Sequence, residues 1–138
     1  MRLALIEDDD LHAEVVGRWM GRDARVQFNR FHTATEFLSS MTELGNSVPD
    51  VVLVDYYLSD GTANEFVRDL RSLGDERADI GVVLISGVDI VEFSRILEGL
   101  DVDGFVLKDD LSRERLTMVA SLAMQSSKRR QELSALKK

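Results

Sequence analysis

The chain contains no cysteine, which excludes a disulfide scaffold, a thiol nucleophile and a cysteine-ligated zinc site. It has one proline, Pro49, and no glycine- and serine-rich stretch or internal repeat that would divide it. Long hydrophobic runs are missing too. Each apolar stretch is only a few residues, far short of the roughly 20 that span a bilayer. Leu3–Ile6 runs straight into four acids and is too short for a signal peptide. A cytoplasmic protein with no membrane partner is expected.

What is present is an ordinary globular balance. The 138 residues are 44% hydrophobic and 30% charged, enough for one domain with its own core. A net charge of −8 makes the surface as a whole repel nucleic acid. After Ser112, however, seven basic residues (Arg113, Arg115, Lys128, Arg129, Arg130, Lys137, Lys138) face only Glu114 and Glu132. That end carries a net +5 and leaves −13 for the rest, so body and tail are expected to have different jobs.

Five β-rich runs alternate with amphipathic stretches: Leu3–Ile6, Val26–Phe28 with Phe31, Val51–Val54, Gly81–Ile85 and Gly104–Leu107. The second is the most polar and is expected at a sheet edge. Nearly continuous apolar runs indicate strands covered on both faces. Helix-length connections make such strands parallel, with right-handed crossovers. Five stripes at helical spacing fill the gaps: Leu11, Val15 and Trp19; Phe37, Met41 and Leu44; Phe66, Leu70 and Leu73; Ile90, Phe93, Leu97 and Leu100; and Leu116, Val119 and Ala123, with Ser112 as N-cap. All are read as core packing, and Gly74–Asp79 as a loop. The expected fold class is α/β, a doubly wound five-stranded parallel sheet.

Ligands of such sheets bind beyond the carboxyl ends of the strands. There the sequence places Glu7-Asp8-Asp9-Asp10, Asp55, Ser86-Gly87 and Lys108-Asp109-Asp110. Crowded carboxylates raise one another's pKa unless a cation joins them. Hard oxygen ligands with no histidine or cysteine nearby suit Mg²⁺. An aspartate can itself accept a phosphoryl group, whose oxygens need positive charge and donors around them. Lys108 and Ser86 are candidates for that role, while Asp9 and Asp10 are read as solvated caps. His12 is expected to be a solvated helix residue, with a phosphate relay as the alternative, and His32 a loop residue.

The runs Leu3–Asp9, Pro49–Asp55, Leu58–Gly61, Val83–Gly87 and Gly104–Lys108 together resemble a two-component response-regulator receiver domain over residues 1–125. Residues 126–138 are then a basic extension of the last helix. The resemblance implies a flavodoxin-like sheet of order 2-1-3-4-5 and a switch phosphorylated on Asp55 by a histidine kinase or phosphotransfer protein. It implies Mg²⁺ on Glu7, Asp8, Asp55 and the Tyr57 backbone carbonyl, Ser86 and Lys108 on the phosphoryl oxygens, and Phe105 as the aromatic that follows Ser86. A face built from the fourth helix, fifth strand and fifth helix would then control a partner or output domain. Several positions depart from the family's habit. Asp109 replaces a frequent proline after the lysine, so a trans peptide is expected there. Ser59 replaces another proline, Ser86 a commoner threonine, and Phe105 lacks a hydroxyl.

Other readings share parts of this pattern. A Mg²⁺-dependent phosphohydrolase also uses an aspartate nucleophile, but it needs an acid two residues on, where Tyr57 stands, and a phenol is a poor acid for that step. A flavin carrier would need donors, not acids, after the first strand. A pseudo-receiver adaptor would not need the intact acids, hydroxyl and lysine. The receiver-domain resemblance also implies that Tyr57 and Val88 flank the approach of a hydrolytic water, to which they offer no carboxylate or amide. Past the domain, Leu133 and Leu136 continue an amphipathic end expected to meet a second copy or an acidic partner.

Overall fold

The structure, a computed structural model, describes residues 1–42, 48–87 and 90–136. Leu44, Val88, Lys137 and Lys138, with the side chains of Ile90 and Phe93, lie outside the described residues. Five strands, β1 (Arg2–Ile6), β2 (Gln27–Phe31), β3 (Val51–Asp55), β4 (Gly81–Ser86) and β5 (Gly104–Leu107), form one sheet. All neighbours are parallel, in the order β2-β1-β3-β4-β5. The polar strand β2 takes the edge, and the apolar β3 and β4 take the centre, buried throughout.

Five helices alternate with the strands: α1 (Asp10–Gly21), α2 (Ala34–Thr42), α3 (Ala63–Arg71), α4 (Ile90–Leu97) and α5 (Arg113–Leu136). Strand residues alternate between two cores. Leu3, Leu5, Leu53, Val83 and Val106 point to α1 and α5; Ala4, Ile6, Val54 and Leu84 point to the core that α2 and α3 close. Leu73 and Leu100 pack at the rim of that second core, each beyond the end of its helix. A 3₁₀ turn, Glu76–Asp79, occupies the segment expected to be a plain loop.

The α1 stripe needs correction. Leu11 is 73% and Val15 42% exposed, Trp19 is half-buried, and the core face is Ala13, Val16 and Met20. The small residues Ala13 and Gly17, the latter over the Phe28 ring, let the helix lie close to the sheet, and Leu11 and Val15 are turned outward. On α5, Leu116 and Ala123 face the sheet as expected, joined by Ala120 and Ser127, with Val119 half-buried against the same core. Close approach there depends on two glycines. A Cβ on Gly81 would lie 2.7 Å from the Ala123 carbonyl oxygen, and one on Gly104 2.7 Å from Val119 Cγ1.

α5 runs without a break through residue 126. It is pinned near the amino ends of the strands by Arg130, which donates to Asp103 (Nη1, 2.6 Å; Nη2, 2.9 Å) and to the Asp79 and Ile80 carbonyls. Arg71, from the last turn of α3, joins the same carboxylate at 3.1 Å.

Candidate functional site

Strand register assembles the site. Ile6 lies opposite Val54, so Glu7 follows beside Asp55 across the β1–β3 pair. This is where the strand order reverses, the position at which doubly wound sheets open a crevice. Glu7 and Asp55 continue the side of the sheet that faces α1 and α5, and Lys108, two residues after Val106, comes from the same side. Both carboxyls are buried, and Asp8 beside them is exposed. With Tyr57 and Gly87 they line a cavity of about 290 Å³.

Lys108 Nζ donates to Asp55 Oδ2 at 2.7 Å, and the Tyr57 N–H donates to Asp55 Oδ1 at 3.1 Å. Burial disfavours the Lys108 ammonium, but its hydrogen bond to Asp55 and the charges of Asp55, Glu7 and Asp9 outweigh this and raise its pKa. For Glu7 the charge of Lys108 lowers the pKa too little to compensate. Burial, then its hydrogen bond to Asp55 and the negative charge there, push its pKa up to about 8. A buried cluster with more carboxyl than ammonium fits a hard divalent cation. Glu7, Asp8 and Asp55 are the carboxylates, and the Tyr57 carbonyl a neutral oxygen, that could hold one.

Ser86 ends β4 fully buried. Leu84 pairs with Phe105, and Ser86 with Leu107, so Ser86 and Phe105 are diagonal neighbours on the face opposite to that of Glu7 and Asp55. Phe105 is 46% exposed. After β5, Lys108–Asp110 forms a 3₁₀ turn, and no described peptide is cis, as expected for Asp109. Ser112 caps α5, accepting the Arg115 N–H through Oγ.

Two features were not read from the sequence. Asp60 accepts hydrogen bonds from the Ala34 and Thr35 N–H groups and from the Thr35 hydroxyl, capping α2 from the loop after β3. That tie fixes the loop carrying Tyr57, which forms a two-residue ribbon, Tyr57–Leu58 with Gly61–Thr62. The second is a contact of His12, which the sequence places near the acidic rim as a solvated helix residue: its Nδ1 lies 3.3 Å from Glu7 Oε1, because the first turn of α1 brings the ring back over β1. Asp9 caps α1, and Asp10 pairs with Arg30 at 2.9 Å. His32 follows β2, its N–H donating to Glu36.

No protein-family model matches the sequence, and a comparison with curated protein sequences finds no match. Solved structures do match. A response regulator receiver domain protein (CheY-like) from Methanospirillum hungatei JF-1 is 16% identical, with a TM-score of 0.76 over 94% of this chain and 97% of its own. A sensor protein from Polaromonas sp. JS666 is 18% identical, with a TM-score of 0.77 over 91% and 97%. The Mn(2+)-bound form of response regulator Rcp1 is 14% identical, with a TM-score of 0.70 over 88% and 90%. The five-stranded order, the two helical layers and these likenesses together show that the chain has the fold of response-regulator receiver domains.

Proposed function

We propose that the chain is a phosphorylation-controlled signalling switch in which Asp55 accepts a phosphoryl group from the phosphohistidine of a histidine kinase or phosphotransfer protein. The observation that supports this best is the 2.7 Å contact of Lys108 Nζ with Asp55, beside buried Glu7, at the open end of the sheet. A carboxylate oxygen of Asp55 attacks phosphorus in line with the departing imidazole nitrogen. An O–P bond forms as the N–P bond breaks, and the nitrogen keeps the bonding pair. Lys108 holds an Asp55 oxygen beforehand and passes its hydrogen bond to a phosphoryl oxygen as charge gathers there. The Ser86 hydroxyl donates to another. Glu7, Asp8, Asp55 and the Tyr57 carbonyl would hold Mg²⁺, which when bound supplies positive charge to the phosphoryl oxygens. The Mn(2+)-bound neighbour supports a divalent cation in this fold.

When Ser86 is drawn toward the phosphoryl group, the Phe105 ring turns inward after it. This repacks the face of α4, β5 and α5, where Val91, Phe105, Met118 and Leu122 are exposed. A partner, an output domain or a second copy docking through α5 reads that change as a population shift. The chain turns over no separate substrate; it promotes only its own phosphorylation and dephosphorylation. The cytoplasm is the proposed compartment, in keeping with the lack of a membrane-length apolar helix among the described residues.

Acetyl phosphate with Mg²⁺, read by intact mass, tests the assignment. One phosphoryl addition is expected in the wild type and none in Asp55→Asn, whose melting stays cooperative. Labelling of that variant at the normal rate would overturn it, and an inert wild type would favour the adaptor alternative. The phosphorylated state is expected to be long-lived. The Tyr57 ring, 56% exposed and packed edge-on against Tyr56, stands beside the cavity and carries no carboxylate or amide to orient a water. Tyr57→Asn should speed phosphoryl decay by up to ~10²-fold, and decay that is already fast in the wild type would remove the shielding role.

A further inference from the structure

His12 has no part in the phosphotransfer site, yet its ring meets that site from the first turn of α1. Nδ1 lies 3.3 Å from Glu7 Oε1 and 4.0 Å from Asp9 Oδ2. One ligand atom each from Glu7, Asp9 and His12 falls within 4.8 Å of the other two. Local structure builds this triangle. Asp9 Oδ1 caps α1, accepting the N–H groups of Leu11 at 2.9 Å and His12 at 3.3 Å, which leaves Oδ2 turned toward the ring. The Glu7 side chain is only 6% exposed. Its hydrogen-bonding partners among the described residues are the His12 ring and the Asp55 carboxyl; no ammonium, guanidinium or backbone N–H donates to it. A buried carboxylate thus aims at an imidazole nitrogen with a second carboxylate beside it, and the Lys108 ammonium acts on both through space without hydrogen-bonding to either.

We infer that Glu7, Asp9 and His12 form a second cation site, selective for a borderline transition ion of the Zn²⁺ class, which competes with the hard-cation site for Glu7. Mg²⁺ prefers an all-oxygen shell, whereas Zn²⁺ readily joins one imidazole nitrogen to carboxylate oxygens. Tetrahedral ligands with bonds near 2.0–2.1 Å stand about 3.4 Å apart. The His12–Glu7 pair already has that spacing, and Asp9 needs to close by about 1 Å or a little more. Three protein ligands leave a fourth position for water. Drawing Glu7 Oε1 into this triangle takes it from Asp8 and Asp55, so the transition ion slows phosphoryl uptake. The regulatory half of the inference rests on the phosphotransfer reading; the binding half does not.

Calorimetric titration with Zn²⁺ and with Mg²⁺, alongside ¹⁵N NMR of the histidine rings, tests both halves. The chain has two histidines, and His32, 3.9 Å from Asp10 and 3.6 Å from Glu36, is the internal control. Zn²⁺ should shift the His12 Nδ1 resonance. His12→Gln should weaken Zn²⁺ at least about ten-fold and leave Mg²⁺ within about two-fold. Asp55→Asn should do the reverse, and His32→Gln should change neither. An unmoved His12 ring, equal Zn²⁺ affinity in His12→Gln, or loss on His32→Gln would each overturn the site. Zn²⁺ should also slow acetyl phosphate labelling in the wild type but not in His12→Gln; equal inhibition in both overturns the competition. If the wild type takes up no phosphoryl group with or without Zn²⁺, the phosphotransfer reading and the competition that rests on it fail. The titrations then still decide the metal site.

Discussion

Each end of the sheet buries an aspartate, and the two ends treat it differently. At the carboxyl end, Asp55 meets a single ammonium, Lys108, and shares its space with Glu7 and Asp8. At the amino end, Asp103, its side chain 5% exposed, accepts from Arg130, from Arg71 and from the Val82 N–H at 2.8 Å. One pole has more acid than cation, and the other balances two guanidiniums with the buried Asp103 and the exposed Asp101. A pole short of positive charge still has binding energy to gain from a ligand, whereas a pole whose buried carboxylate is already paired has only stability to lose. The same contrast appears in packing. The carboxyl end opens into a cavity, while at the amino end two glycines let α5 lie directly on β4 and β5.

Neutralising each aspartate is the hardest test of this contrast. Asp103→Ala strands two arginines in partly buried positions and should cost about 3–5 kcal/mol, read from urea denaturation. Asp55→Asn removes repulsion and should leave stability unchanged or raise it by up to about 1 kcal/mol. Equal losses would mean that the two poles are built alike. pH sharpens the comparison further. Burial and the neighbouring Asp55 raise the Glu7 pKa from 4.5 to about 8, so the folded chain keeps a proton that the unfolded chain has released. Stability of the metal-free protein should therefore fall as pH rises from about 4.5 to about 8 and level off above. Denaturation midpoints in chelator across that range should show the fall, and Glu7→Gln or saturating Mg²⁺ should flatten it. The two glycines test the packing half of the contrast. Gly81→Ala meets backbone that cannot yield and should cost about 1–3 kcal/mol. Gly104→Ala meets a movable Val119 methyl and should cost less, under about 1 kcal/mol; thermal melts of the two variants give the order.

The carboxyl pole was legible because each of its groups terminates an apolar run. Glu7, Asp55, Ser86 and Lys108 stand where a strand must stop, and parallel strands stop on one side. The amino pole offered no such mark. Asp103 sits in a polar stretch before Gly104, Arg71 in the last turn of α3, and Arg130 within a basic run that reads as a solvated face. Only the tertiary fold brings those three together. The α1 stripe misled for a related reason. Hydropathy weighs side-chain size, but the surface that lies on the sheet is set by how closely the helix can approach, and that selects Ala13 and Gly17 over Leu11. His12 was legible as lying near the acidic rim, but its contact with Glu7 was not, because strand and helix residues are compared by different periods and the turn between them belongs to neither.

Arg130 also gives the domain a direction in time. A chain emerges from the ribosome amino end first, and the bonds from Arg130 reach back to Asp79, Ile80 and Asp103. Between the making of Asp103 and that of Arg130, 27 residues later, Asp103 is therefore held by one guanidinium instead of two, and β5 lacks the helix that covers its face. Closure comes only when the far part of α5 has been made, so the last helix acts as the latch of a nascent chain whose acidic rim is already written.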